Sequence, residues 1–163
     1  MLQQTTFQKD LFKDTVAVVT GGTSGIGAAT AEYLATHGSK VYALGLKSEE
    51  MKVPSGLDIK PVELDVTDEA AVERFFKDLK KLDILFNGAG VNLPNQYDIK
   101  SFKKSIDINL NATFFISTLA QPLLAKSKVA SIVNVSSMLA IFGHADGPAY
   151  SASKGAIDQV TKS

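Results

Sequence analysis

No cysteine occurs among the 163 residues, which removes disulfides, thiolate zinc sites, thiol nucleophiles and redox switching from the chemistry open to this chain. Charge of one sign is not in excess either. The 17 Lys+Arg balance the 17 Asp+Glu, which argues against a nucleic-acid partner, whose phosphates select basic faces. Long apolar runs are also missing: none approaches the roughly 20 residues of a membrane span. The polar start over 1–14 lacks the apolar segment of a signal peptide, so a soluble, cytoplasmic protein is expected. The N-x-S/T sequons at Asn111 and Asn134 are then chance matches. No linker or low-complexity stretch divides the chain. What is present is enough for a single core, 45% hydrophobic in composition, and a chain of this size buries roughly 70% of its unfolded surface.

Short apolar runs alternate with helical stretches, the pattern of a parallel sheet wound with crossover helices. Five strands are expected, over 16–19, 41–44, 61–64, 82–86 and 131–135, most of them β-branched and nearly continuous, as strands buried on both faces should be. A helix over 25–37 is stopped by Gly38, where positive φ costs glycine little. The stretch 47–59 contains Pro54 and Gly56 and reads as a short helix or a loop. Thr67 is expected to cap the next helix, which carries Val72, Phe75, Phe76 and Leu79 on one face. A long helix over about 101–125 aligns Phe102, Ile106, Leu110, Phe114 and Leu119, with a bend expected at Pro122. A last helix starts near Pro148. Chain order and right-handed crossovers predict a doubly wound α/β sheet of order 3-2-1-4-5.

The chemistry concentrates at the ends of these strands. After the first comes Thr20-Gly21-Gly22-Thr23-Ser24-Gly25-Ile26-Gly27 and then a helix. Glycines there let the backbone turn tightly and approach a pyrophosphate, and the free N–H groups and positive end of the helix attract the anion. Asp65-Val66 follows the third strand and Asn87-Gly88-Ala89-Gly90 the fourth; Ile108-Asn109-Leu110 lies in the long helix, and Ser137 precedes Tyr150 and Lys154. At i and i+4 on a helix, Tyr150 and Lys154 share a face. Free tyrosine has a pKa near 10, and bringing it to about 7 takes roughly 4 kcal/mol of preference for the phenolate, which a neighbouring ammonium helps to supply.

The G-x-x-x-G-x-G spacing and the landmarks after it resemble the short-chain dehydrogenase/reductase family across nearly the whole chain. The resemblance implies a Rossmann-like dinucleotide site with Gly21, Thr23, Ser24, Gly25, Ile26 and Gly27 at the pyrophosphate, Asp65 and Val66 at the adenine, Asn87, Ala89 and Gly90 near a ribose, and Tyr150 and Lys154 also in contact with the cofactor. Gly88 replaces the family's usual second asparagine. It further implies a catalytic set. Tyr150 exchanges a proton with the substrate oxygen and Lys154 promotes the phenolate. Ser137 hydrogen-bonds the same oxygen, and Asn109 orders a water that links Lys154 to solvent. No metal belongs to this reading. Asp65 as a simple cap of the Thr67 turn, Asn109 as an ordinary helical asparagine and His144 as a solvated loop residue remain alternatives.

The implied activity is hydride transfer between NAD or NADP and a secondary alcohol or ketone; the alternative is a sensor or regulatory module that binds NAD(P) without turnover. A sugar-nucleotide epimerase of the extended branch shares Y-x-x-x-K but normally has a G-x-x-G-x-x-G turn, against which Gly21, Gly25 and Gly27 speak. NAD enzymes usually place an acid at the end of the second strand, where this chain has Gly45. Lys47 and the N–H groups around Gly45 and Leu46 incline the expectation to NADP. The resemblance also implies a homodimer or homotetramer built on the long helix and the last helix. The small residues Ala149, Ala152, Ser153, Gly155 and Ala156 permit close packing there or against the sheet. Family members run to about 250 residues, so the expectation is a single dinucleotide-binding domain over 1–163, cut within the helix of Tyr150, with the final strands and the lid absent.

Overall fold

A computed structural model describes residue 8 and residues 10–163; the start of the chain, judged above for a signal peptide, lies mostly outside them. Strands β1 (Val16–Thr20), β2 (Lys40–Gly45), β3 (Ile59–Glu63), β4 (Ile84–Asn87) and β5 (Ser131–Asn134) form one parallel sheet of order β3-β2-β1-β4-β5. The β-branched runs thus pair as expected, with β1 between β2 and β4. Alternation along β1 feeds two layers. Val18 joins Leu44, Leu85 and the inner faces of α2 (Glu69–Asp78) and α4 (Ala112–Leu124). Ala17 and Val19 pack with Ala31 and Leu34 of α1 (Gly25–Thr36). Gly38 ends α1 at φ +96°, in the left-handed region that favours glycine.

Several elements differ from the sequence pattern. Helix α2 is capped by Asp68, whose carboxylate accepts the Ala71 N–H, while Thr67 is itself held by Asp65. The segment after Lys47 is a single 3-10 turn, Ser48–Glu50. The long helix begins earlier, as α3 (Ile99–Ile106) capped by Asp98, and passes through a π-helical segment, Asp107–Asn111, before α4. An extra residue in that turn rotates everything after it. Phe114, expected on the inner face, is therefore 58% exposed, and Ala112, Thr113, Ile116 and Ala120 turn inward instead. β5 is an edge strand whose Ile132 and Val133 are exposed, not buried on both faces. A short helix α5 (Leu139–Phe142) precedes α6 (Pro148–Lys162).

The entry to three strands is pinned by one buried carboxylate. Asp83 accepts the Val16 N–H at 2.8 Å and the Ser127 hydroxyl at 2.6 Å, with Lys81 Nζ at 3.3 Å, while its own carbonyl accepts the Ser131 N–H. Burial alone raises its pKa, but the bonds from Ser127, Val16 and Lys81 outweigh that and hold the carboxyl below its ordinary value. A lowered folded-state value stabilises the fold above the unfolded carboxylate pKa of about 3.9. That contribution disappears as pH falls through the lowered value. Asp83→Ala is expected to cost about 3 kcal/mol at neutral pH in urea unfolding, because the Val16 N–H, the Ser127 hydroxyl and the Lys81 ammonium lose their acceptor, and to cost much less in acid. An equal deficit at both pH values would mean that the charge is irrelevant.

Candidate functional site

The glycine-rich turn leaves the end of β1 at the seam between β2 and β4. Gly21 and Gly25 take positive φ, +64° and +52°. A Cβ on Gly21 would lie 2.9 Å from the backbone of Gly88 and Ala89, and one on Gly27 would lie 2.1 Å from the Gly21 carbonyl. Over Gly25 there is open space to 4 Å. Ser24, at the N-cap of α1, makes no side-chain cap bond, and Ser24, Gly25 and Ile26 are exposed, so the first N–H groups of a 12-residue helix face outward without a capping side chain. A cradle of this shape, with a positive helix end and no side chain in its mouth, fits a dinucleotide pyrophosphate. Thr20 ties the cradle to the turn after β4, its hydroxyl oxygen accepting the N–H groups of Gly88 and Ala89.

That second turn explains its own departure from the family pattern. A Cβ on Gly88 would lie 2.7 Å from the Phe86 ring and 2.9 Å from the Thr20 carbonyl, so the aromatic ring fills the room an asparagine side chain would need. Asn87 is turned into the protein, donating to Ser117 and Asn134, with its Oδ1 buried and unpartnered. Its side chain braces β4 against β5 and α4. Gly88 and Ala89 are half-buried, and Gly90 is exposed.

At the end of β2, Gly45 is buried, and a Cβ there would lie 2.4 Å from the Thr23 hydroxyl, which itself donates to the Leu46 carbonyl. Leu46 is exposed. Lys47 adopts left-handed backbone geometry, and its ammonium pairs with Glu50 at 3.3 Å. Its N–H, with that of Ser48, is bound by Glu63. Asp65 accepts the N–H and hydroxyl of Thr67 through one oxygen and is otherwise exposed; Val66 beside it is buried.

Tyr150, Lys154 and Asn109 meet across elements distant in sequence, and the strand end leading to Ser137 adjoins them. Lys154 on α6 is 4% exposed and donates from Nζ to the Val135 carbonyl at 2.6 Å, and its burial pushes the ammonium pKa down. Its Nζ lies 5.8 Å from the ring centroid of the half-buried Tyr150. The residues leading to Ser137 touch the same lysine, since the Ser136 hydroxyl donates to the Lys154 carbonyl. Ser137 is half-buried and accepts the Leu139 N–H. Asn109 sits in the π-helical segment, fully buried, donating to Val91 O and Ser153 Oγ and accepting the Val91 N–H. A Cβ on Gly90 would be 3.4 Å from both Asn109 Oδ1 and Lys154 Nζ, so the turn after β4, the π segment and α6 meet at that point.

Two residues escaped the sequence reading. Gln96, almost fully buried, accepts the Tyr150 N–H at 2.9 Å and donates to Asn92; it satisfies a first-turn amide of α6 from outside the helix. Tyr97 donates to the Ala145 carbonyl. No local spacing marks either one, because each acts on a segment about fifty residues away. His144 is exposed, and its carbonyl accepts the Gly147 N–H. Of the small residues on α6, Ala149 and Ser153 are fully buried within the chain, whereas Ala152 is exposed.

A family model described as short chain dehydrogenase matches residues 15–163. A tropinone reductase homolog of Arabidopsis thaliana is 34% identical over 160 residues, covering 90% of this chain and 61% of the relative. The 2-dehydro-3-deoxy-L-rhamnonate dehydrogenase (NAD(+)) of a Sphingomonas strain is 34% identical over 157 residues, covering 90% and 63%. The solved ligand-free aldohexose dehydrogenase of Thermoplasma acidophilum superposes with a TM-score of 0.82 at 31% identity, covering 95% of this chain and 62% of that one. The chain thus spans about three-fifths of the length of these relatives.

Proposed function

The chain belongs to the short-chain dehydrogenase/reductase family, and on that premise we propose that the protein oxidises a secondary alcohol, or reduces the corresponding ketone, with a nicotinamide dinucleotide. The observation that carries the proposal is the junction of Lys154, Tyr150 and the strand end that leads to Ser137. The dinucleotide, when bound, supplies the hydride donor or acceptor. Gly21, Gly25 and the N-terminus of α1 hold its pyrophosphate, with Thr23, Ser24, Ile26 and Gly27 shaping the turn and Ala89 and Gly90 giving backbone approach beyond it.

Tyr150 exchanges the proton of the substrate oxygen. The Lys154 ammonium, fixed by the Val135 carbonyl, favours the phenolate electrostatically, and Ser137 Oγ holds the reacting oxygen by a hydrogen bond. Asn109 acts through others. With its amide engaged by Val91 and Ser153, it holds the turn after β4 against α6 and so aligns Gly90 with Lys154. Its side chain is thus a positioning group, beside the ordering of a water near Lys154 that the resemblance implies.

The single domain over 1–163 and its continuation in a longer polypeptide belong to the same proposal, as does an assembly through the long helix and α6, where exposed Phe114 and Ala152 offer contact surface. The test uses the full-length polypeptide: dinucleotide plus a panel of secondary alcohols should change the near-ultraviolet absorbance of the nicotinamide. Binding of the dinucleotide without turnover of any alcohol or ketone would favour the non-catalytic sensor instead.

A further inference from the structure

The end of β2 lacks the acid that reads a free ribose 2′-hydroxyl, and the space for one is taken: any side chain on Gly45 meets Thr23. The neighbouring strand supplies a carboxylate to the same loop. Glu63, the last residue of β3, stands in register beside Gly45. Its Oε2 accepts the Ser48 N–H at 2.7 Å and its Oε1 the Lys47 N–H at 3.2 Å. Lys47 is held in left-handed backbone geometry at φ +55°, and successive N–H groups presented by such a turn form an anion nest. These are the donors that a ribose 2′-phosphate would need, and the protein's own carboxylate fills them.

We propose that Glu63 is the residue that selects the dinucleotide, occupying the nest at Lys47 and Ser48 and thereby favouring NAD, with its free 2′-hydroxyl, over NADP. The inference rests on the dinucleotide reading above and reverses the inclination to NADP that Lys47 suggested. The Lys47 ammonium faces Glu50 at 3.3 Å, an exposed pair that offsets part of its charge. The turn and the strand end together carry one cation, Lys47, against three carboxylates, Glu49, Glu50 and Glu63. The hydrogen bond from the Ser48 N–H holds the Glu63 carboxyl below its usual pKa, so it is an anion at neutral pH. A 2′-phosphate arriving there meets like charge and two backbone amides already bound to Glu63.

The experiment measures equilibrium binding of NAD and NADP to the full-length protein by isothermal titration calorimetry, for the wild type, Glu63→Gln and Glu63→Lys. The wild type should bind NAD more tightly. Glu63→Gln should tighten NADP by about ten-fold while moving NAD by less than about two-fold, and Glu63→Lys should go further in the same direction. The gain for NADP should shrink at high salt, as an exposed charge effect does and a folding effect does not. Binding of both dinucleotides in a ratio unchanged by either substitution would overturn this inference alone. Failure of the wild type to bind either dinucleotide would overturn the dinucleotide reading and this inference with it.

Discussion

Tyr150→Phe is expected to lower turnover of the full-length protein by about 10²–10⁴-fold, the range that a positioned general acid or base contributes, while dinucleotide binding stays within about two-fold. The substitution removes one hydroxyl and keeps the ring. Lys154 retains its bond to the Val135 carbonyl and its place over the ring, and the Tyr150 backbone N–H retains Gln96 as its acceptor. Nothing in the fold depends on the lost oxygen, since the described residues make no hydrogen bond to it. A drop in turnover is then chemical and not structural. Steady-state rates, with a parallel fluorescence titration of the dinucleotide, separate the two. Turnover retained in the variant would remove Tyr150 from the mechanism, and loss of binding as well as rate would give it a cofactor role larger than proposed.

Gly27→Ala is expected to have the largest effect on the fold. The new methyl would stand 2.1 Å from the Gly21 carbonyl oxygen and 2.6 Å from its carbon, inside any contact distance and against backbone that cannot swing aside. Relief requires α1 to move off β1 or the turn to open. Either movement costs about 3 kcal/mol or more, the upper end for overpacking, and weakens the dinucleotide by about ten-fold or more. Gly25→Ala separates the two consequences. Its methyl enters open space, so it bears only the cost of left-handed geometry, about 1–2 kcal/mol, yet it projects where the pyrophosphate is proposed to lie. Thermal unfolding should therefore rank Gly27→Ala well below Gly25→Ala, while both lose affinity. Equal stability of the two variants would show that the turn has more freedom than its packing implies.

The sequence was most legible where one residue's requirement is local. β-branched runs forecast the five strands because strands covered on both faces need apolar residues at nearly every position, and the right-handed crossover rule then left one strand order. The edge strands β3 and β5 failed that forecast on burial, because exposure depends on whether a neighbour covers them. Gly21, Gly25 and Gly38 were readable from the turns they permit, and all three take positive φ. The π-helical segment was not readable. Its apolar spacing suits an ordinary helix, and Asn109 within it bonds to Val91 and Ser153, 18 and 44 residues away.

By itself, then, the order of residues determined the sheet, the glycine cradle beside β1, and the helical face shared by Tyr150 and Lys154, since each follows from chain stereochemistry over a few residues. Only the tertiary structure decided what those parts touch. It put Phe86 where Gly88 is needed, turned Asn87 inward to Ser117 and Asn134, set Gln96 on the Tyr150 amide, and brought Glu63 to the amides of Lys47 and Ser48. These pairings join strands, turns and helices far apart in the chain, and their geometry depends on sheet register and helix rotation. A shift of one residue, as in the π segment, redirects every side chain beyond it, and for that reason spacing along the chain could place the candidate residues on their elements but not give their contacts.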